Sequence, residues 1–90
     1  MRKAKRDDLH AIEKVCVIGL GYIGLPTASL IATKGYNVLG VDIDKNIVDT
    51  INEGKIHIEE PDLDILVKSA FFSKKLRAAQ KLEPADIFII

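Results

Sequence analysis

Six residues, Gly19-Leu20-Gly21-Tyr22-Ile23-Gly24, constrain this 90-residue chain more than any other segment. They sit between the strand-like run Val15-Cys16-Val17-Ile18 and a helix-like segment. A second strand-like run, Val38-Leu39-Gly40-Val41, leads into the acidic Asp42. Glycines at this spacing recur by chance in many turns. The whole unit of strand, glycine loop, helix, strand and carboxylate is the dinucleotide-binding fingerprint. Gly19 allows the tight turn off the strand, and Gly21 removes a side chain where a pyrophosphate must approach the backbone. Gly24 lets the helix lie close on the sheet. The helix N-terminus then offers N–H groups and the positive end of its dipole to the phosphates. The bland alternative is a glycine-rich turn that binds nothing, and the full context weighs against it.

Around that unit the chain reads as alternating strands and helices. Residues 1–13 form a polar leader, with a short helix available over Asp8–Lys14, and residues 14–90 form a partial dinucleotide-binding domain. A first strand covers Lys14 to Ile18. A helix from Ile23 to Lys34 tolerates Pro26 in its first turn and stops at Gly35. Its Ile23, Thr27, Leu30 and Ile31 share one face. The second strand spans Asn37 to Val41. Asp44 caps a helix over Lys45–Asn52, whose buried stripe is Ile47, Val48 and Ile51, with Gly54 as its end. Lys55-Ile56-His57-Ile58 alternates like an extended stretch. Pro61 opens another helix, with Asp62 and Asp64 in its first turn and Leu63, Leu66, Val67 and Ala70 on one side. Ser73-Lys74-Lys75 is a turn, Leu76–Ala79 a short strand, and Leu82–Asp86 a loop. Ile87–Ile90 is a strand without polar alternation, of the kind found in parallel sheets covered on both faces.

This order predicts an α/β fold: a Rossmann-like, doubly wound, mostly parallel sheet, truncated after the fourth strand. The last strand ends within its apolar run, so the expectation is a fragment of a longer protein.

Composition narrows the function. Hydrophobic content of 48% supports a core, and 13 basic residues balance 13 acidic ones to a formal net charge of zero. That balance argues against nucleic-acid or membrane-surface binding. Arg2, Lys3, Lys5 and Arg6 are followed at once by Asp7 and Asp8, with no apolar core after them. No secretory signal or bilayer-spanning run is present, and a cytoplasmic location is the expectation. The one cysteine, Cys16, permits no internal disulfide and reads as a core residue of the first strand. His57 reads as a partly exposed structural residue, with no second metal ligand at usable spacing, so no metal site is expected. Glu59, Glu60, Asp62 and Asp64 fit dipole and capping roles at a helix start. Phe71 and Phe72 read as core, and Lys74, Lys75 and Arg77 as a solvated turn.

With these segments placed, the sequence resembles the N-terminal domain of the nucleotide-sugar 6-dehydrogenases, the family of UDP-glucose and GDP-mannose dehydrogenases. Val17-Ile18-Gly19-Leu20-Gly21-Tyr22-Ile23-Gly24-Leu25-Pro26 is similar to the family's cofactor loop. Asn52-Glu53-Gly54-Lys55 followed by Glu60-Pro61-Asp62-Leu63 is similar to its next landmark. The latter, with Gly40-Val41-Asp42-Ile43-Asp44, Val48-Asp49-Thr50-Ile51-Asn52 and Ile56-His57-Ile58, looks most like the branch acting on UDP-N-acetyl-D-mannosamine. The resemblance implies NAD-dependent oxidation of a sugar C6 hydroxyl to a carboxylate in two hydride-transfer steps. It places a cysteine nucleophile, a lysine and an asparagine in later parts of such chains, so no catalytic residue is expected here. It implies a UDP-sugar substrate held by those parts and a homodimer at full length. For the cofactor, it implies Gly19, Gly21 and Gly24 in the roles above, with the N–H groups of Tyr22 and Ile23 on the pyrophosphate. Asp42 would accept hydrogen bonds from the adenosine ribose and repel a 2′-phosphate, which favours NAD over NADP. Where many relatives carry a basic residue near the adenosine this chain has Ile47, with Lys45 as the available substitute. Competing readings are a nucleotide-sensing Rossmann module without chemistry, an inert truncated product, and a related UDP-glucose or UDP-N-acetylglucosamine dehydrogenase.

Overall fold

The structure is a computed structural model, described here for residues 12–90. Four parallel strands form one sheet in the order β3-β2-β1-β4. They are β1 (Lys14–Ile18), β2 (Asn37–Val41), β3 (Leu76–Ala79) and β4 (Ile87–Ile89). Helix α1 (Gly24–Thr33) connects β1 to β2, while α2 (Lys45–Asn52) and α3 (Leu63–Phe72) connect β2 to β3. In register, Val17 of β1 stands between Gly40 of β2 and Ile89 of β4. Among the described residues, no helix is long and apolar enough to cross a membrane.

The side chains alternate along each strand, and this divides the core in two. Val15, Val17, Val38, Leu76 and Ala78 point to one face and pack with residues of all three helices. Cys16, Leu39 and Val41 point to the other, where Ala85 of the β3–β4 loop packs against them. Burial raises the Cys16 thiol pKa, as a core role requires. In β4, Phe88 is half exposed and Ile87 only slightly less so, so the described residues do not cover this strand on both faces.

Most boundaries agree with the sequence reading, and the exceptions have local causes. In α1 the buried stripe is Leu25, Ala28, Ser29 and Ala32, whereas Ile23 and Leu30 face outward. Seven of the ten residues of this helix are apolar and they fall on every side, so periodicity alone selects no face. Ala28, Ser29 and Ala32 in that stripe are small, which lets the helix approach its neighbours closely. Lys55–Ile58 forms no strand; Ile58 is buried, Ile56 packs on the core, and His57 stays exposed in a bend. Helix α3 starts two residues after Pro61. Asp62 at its N-cap has φ of 67° and makes no side-chain capping bond, so the capping role fails for this residue. Asp64 does lie in the first turn, 3.2 Å from Lys68. Phe71 is half-buried, but Phe72 is exposed and only meets its edge, so the pair is not wholly core. Asp44 caps α2 by accepting from the Asn46 N–H at 2.9 Å. The helix expected over Asp8–Lys14 falls mostly outside the described residues, and its last member opens β1.

Arg77 is not a solvated turn residue. Its guanidinium forks onto Glu83, which also accepts from Lys14 Nζ at 2.7 Å. These two cations, Arg77 before Lys14, pull the Glu83 carboxyl down to a pKa of about 2. Asp86 accepts from the N–H groups of Glu13 and Lys14, both at 2.9 Å, and fixes the start of β1.

Candidate dinucleotide site

Strand β1 lies between β2 and β4, so the chain leaves it on one side and later returns on the other. Ligands of open parallel sheets bind where the strand order reverses, beyond the carboxyl ends. There this chain has a cleft of about 470 Å³, lined by Gly19, Gly21, Tyr22, Ile23, Thr27 and Ile89 among others. A second cleft of about 340 Å³ lies at the opposite end of the strands. Its Lys14 and Arg77 are already paired with the single Glu83 carboxylate.

The loop takes its shape from its glycines. Gly19 has φ of 93°, a conformation that side chains rarely adopt, and its N–H donates to Val41 O at 2.7 Å. A Cβ on Gly24 would lie 1.7 Å from the carbonyl oxygen of Gly19, so only glycine fits where α1 meets the turn. A Cβ on Gly21 would meet nothing within 4 Å. Among the described residues no atom requires glycine there, and Gly21 lines the cleft. Leu25 N–H and Thr27 N–H close the first helical bonds on Gly21 O and Ile23 O. The N–H groups of Gly21, Tyr22 and Ile23 have no protein acceptor among the described residues. Three donors at the positive end of a helix form a receptor for an anion. The Tyr22 and Ile23 side chains stand out in solvent at 71% and 82% exposure, so their backbone, not their bulk, faces this role.

Asp42 lies at the end of β2, beside the loop. One carboxylate oxygen accepts from Asp44 N–H and the other from Leu20 N–H, both at 3.0 Å. Those bonds, Asp44 first, hold its pKa below the ordinary aspartate value, with a smaller contribution from the charge of His57. Each oxygen keeps a lone pair free, which suits a diol such as a ribose. The bond to Leu20 is a second task that sequence reading missed. A carboxylate 22 residues away gives no local signal of it. Ile43, fully in solvent next to it, is held at its carbonyl by Gln80 Nε2 at 3.0 Å.

The six residues predicted from sequence thus come together at one end of the sheet, with anion donors and a diol acceptor side by side. This donor set fits a pyrophosphate joined to a ribose. Lys45 does not join it: its ammonium pairs with Asp49 at 2.7 Å on the outer side of α2, and Ile47 packs on the core. Among the described residues, no group of three or more His, Cys, Asp or Glu side chains could hold a metal ion.

Comparison with known proteins bears on the family and the fold. The profile of the UDP-glucose/GDP-mannose dehydrogenase family, NAD binding domain, matches residues 13–90. A UDP-N-acetyl-D-mannosamine dehydrogenase of Campylobacter jejuni is 57% identical over 82 residues, 91% of this chain and 20% of that protein. An NDP-N-acetyl-D-galactosaminuronic acid dehydrogenase of Ralstonia nicotianae is 57% identical over 76 residues, 84% of this chain and 18% of its own length. The native structure of the UDP-N-acetyl-mannosamine dehydrogenase of Staphylococcus aureus superposes with a TM-score of 0.82 at 43% identity. That match covers 84% of this chain and 18% of the other. The chain therefore spans about a fifth of the length of the curated relatives it matches. A family profile over nearly the whole chain, on a parallel sheet with the glycine loop at its switch point, settles the assignment: this chain belongs to the UDP-glucose/GDP-mannose dehydrogenase family and is its NAD binding domain.

Proposed function

We propose that this chain is the NAD-binding part of a UDP-N-acetyl-D-mannosamine 6-dehydrogenase, which oxidises the sugar C6 hydroxyl to a carboxylate. The single observation that carries the site is the set of N–H groups at Gly21, Tyr22 and Ile23, without an acceptor among the described residues, beside the Asp42 carboxylate. In this reading Tyr22 and Ile23 donate to the pyrophosphate, helped by the α1 dipole, and Gly21 leaves room for it. Gly19 and Gly24 hold the turn that aims those donors. Asp42 receives the ribose hydroxyls and repels a 2′-phosphate, which selects NAD over NADP. NAD supplies the hydride acceptor.

The overall change takes one alcohol and one water to one carboxylate, with two NAD reduced and three protons released. In this reading the nucleophile and the sugar pocket are supplied by other parts of the full-length enzyme, so this chain alone should turn nothing over. The sugar assignment rests on the likeness to the N-acetylmannosamine enzymes. The equal identity to an N-acetylgalactosaminuronic acid dehydrogenase favours that sugar as the second reading. We further propose a cytoplasmic, homodimeric full-length enzyme.

Steady-state kinetics with NAD tests the proposal. UDP-N-acetylmannosamine should give a higher kcat/KM than UDP-N-acetylgalactosamine, UDP-N-acetylglucosamine, UDP-glucose or GDP-mannose, with two NADH per sugar. Preference for another sugar overturns the substrate and leaves the family. One NADH per sugar with free aldehyde released overturns the two-step oxidation.

A further inference from the structure

Leu20 occupies a loop position, between the first two glycines of the fingerprint, yet its side chain is fully buried. What receives it is a gap in the neighbouring strand. Gly40 sits in the interior of β2, paired to Val17 on one side and Ala78 on the other. Glycine weakens a strand there, and it often marks a close approach by another part of the chain. A Cβ on Gly40 would lie 2.7 Å from Leu20 Cδ2, 3.0 Å from Cδ1 and 3.4 Å from Cγ. Gly40 does not have a positive φ, so the backbone makes no demand for glycine. The demand comes from Leu20.

We infer that Gly40 is a positioning residue for the phosphate-binding loop: the notch it leaves in β2 seats Leu20, and so fixes the peptides that follow. Three successive residues, the last two of β2 and Asp42 just beyond it, then hold two successive residues of the loop. Gly40 seats the Leu20 side chain, Val41 O accepts from Gly19 N–H, and Asp42 accepts from Leu20 N–H. With residues 19 and 20 fixed, Gly21, Tyr22 and Ile23, which line the cleft, are held in place before a ligand arrives, the condition for tight binding by a preformed site. A methyl group at position 40 would overlap the Leu20 methyls, at 2.7 and 3.0 Å, so the Leu20 side chain must shift. The side chain is sealed in the core, and its displacement passes to the Leu20 backbone and its bond to Asp42.

This inference rests on the proposed NAD site, and a double-mutant cycle in the protein that carries this chain tests it. Gly40→Ala is compared in two backgrounds, native Leu20 and Leu20→Ala, with NAD affinity measured by calorimetry and hydrogen exchange measured at the residue 20 amide. With Leu20 present, Gly40→Ala should weaken NAD at least about tenfold and speed that exchange; with Ala at 20 it should change affinity by less than about twofold. An equal penalty in both backgrounds, or none in the first, overturns the inference. Should Gly40→Ala alone fail to fold, recovery of folding by adding Leu20→Ala supports it, and a pair that also fails to fold overturns it. A parent protein that binds no NAD refutes the cofactor site instead, and the exchange rates still decide whether Gly40 seats the loop.

Discussion

Gly21 and Gly24 stand three residues apart in the same loop, and the structure assigns their substitution opposite consequences. A Cβ on Gly24 would lie 1.7 Å from Gly19 O and 2.8 Å from Gly19 C. Non-bonded heavy atoms settle near ~3.5 Å, so the turn and the helix must separate by more than ~1 Å. Both partners are backbone, and no rotamer relieves the overlap. Overpacking of this kind costs about 1–3 kcal/mol and sometimes more, against a helix-propensity gain for alanine of at most ~1 kcal/mol. The clash wins. Gly24→Ala should destabilise the domain by roughly 2 kcal/mol, lowering its unfolding midpoint by on the order of 10 °C. Gly21→Ala meets nothing within 4 Å and lacks a positive φ, so the fold does not oppose it. Its stability should stay within about 0.5 kcal/mol of the parent, while NAD affinity falls at least ~tenfold. Thermal and urea unfolding followed by circular dichroism measure the first quantity, and calorimetric titration with NAD the second. Unchanged stability in Gly24→Ala refutes the close approach of helix to turn. Unchanged affinity in Gly21→Ala refutes the placement of the pyrophosphate.

Three further outcomes follow from named groups. Asp42→Asn keeps the shape but removes the charge, so it should weaken NAD and narrow the gap between NAD and NADP; equal affinity for both cofactors in the parent would contradict this role. Glu83 is held down to a pKa of about 2 by Arg77 and Lys14, below the 4.5 it has when free. Its contribution to stability is therefore complete above pH 4.5 and lost as pH falls towards 2, and Glu83→Gln should flatten urea midpoints across that window. A profile that stays as steep as the parent's would show that other carboxylates dominate acid unfolding. Ser29 Oγ is buried without a hydrogen-bond partner among the described residues, so Ser29→Ala should raise stability by about 0.5–1 kcal/mol. A loss on that substitution would mean that the hydroxyl has a partner.

The elements were legible in the sequence wherever a local signal existed. The run Lys14–Ile18, the Asp44 cap and the glycine loop each announce themselves within a few residues, and the structure has them at those positions. The face that α1 buries was not legible, because a helix with apolar residues on every side offers no contrast to read. Asp62 illustrates a different limit: an acidic residue at a helix start usually caps it, but the left-handed backbone there carries no side-chain capping bond. The site divides along the same line. Its donors and its carboxylate follow from the fingerprint, whereas the Asp42–Leu20 and Lys14–Glu83 bonds join residues far apart in the chain. Such pairs exist only once the strands are laid side by side.

The most direct test of the central claim is a crystal structure of the protein with NAD bound. The account predicts pyrophosphate oxygens about 3 Å from the Tyr22 and Ile23 nitrogens, adenosine ribose hydroxyls on the Asp42 carboxylate, and the Leu20–Asp42 bond intact. A cofactor lodged in the cleft at the other end of the strands, beside Lys74 and Lys75, would contradict it. So would NAD at the loop with its ribose away from Asp42.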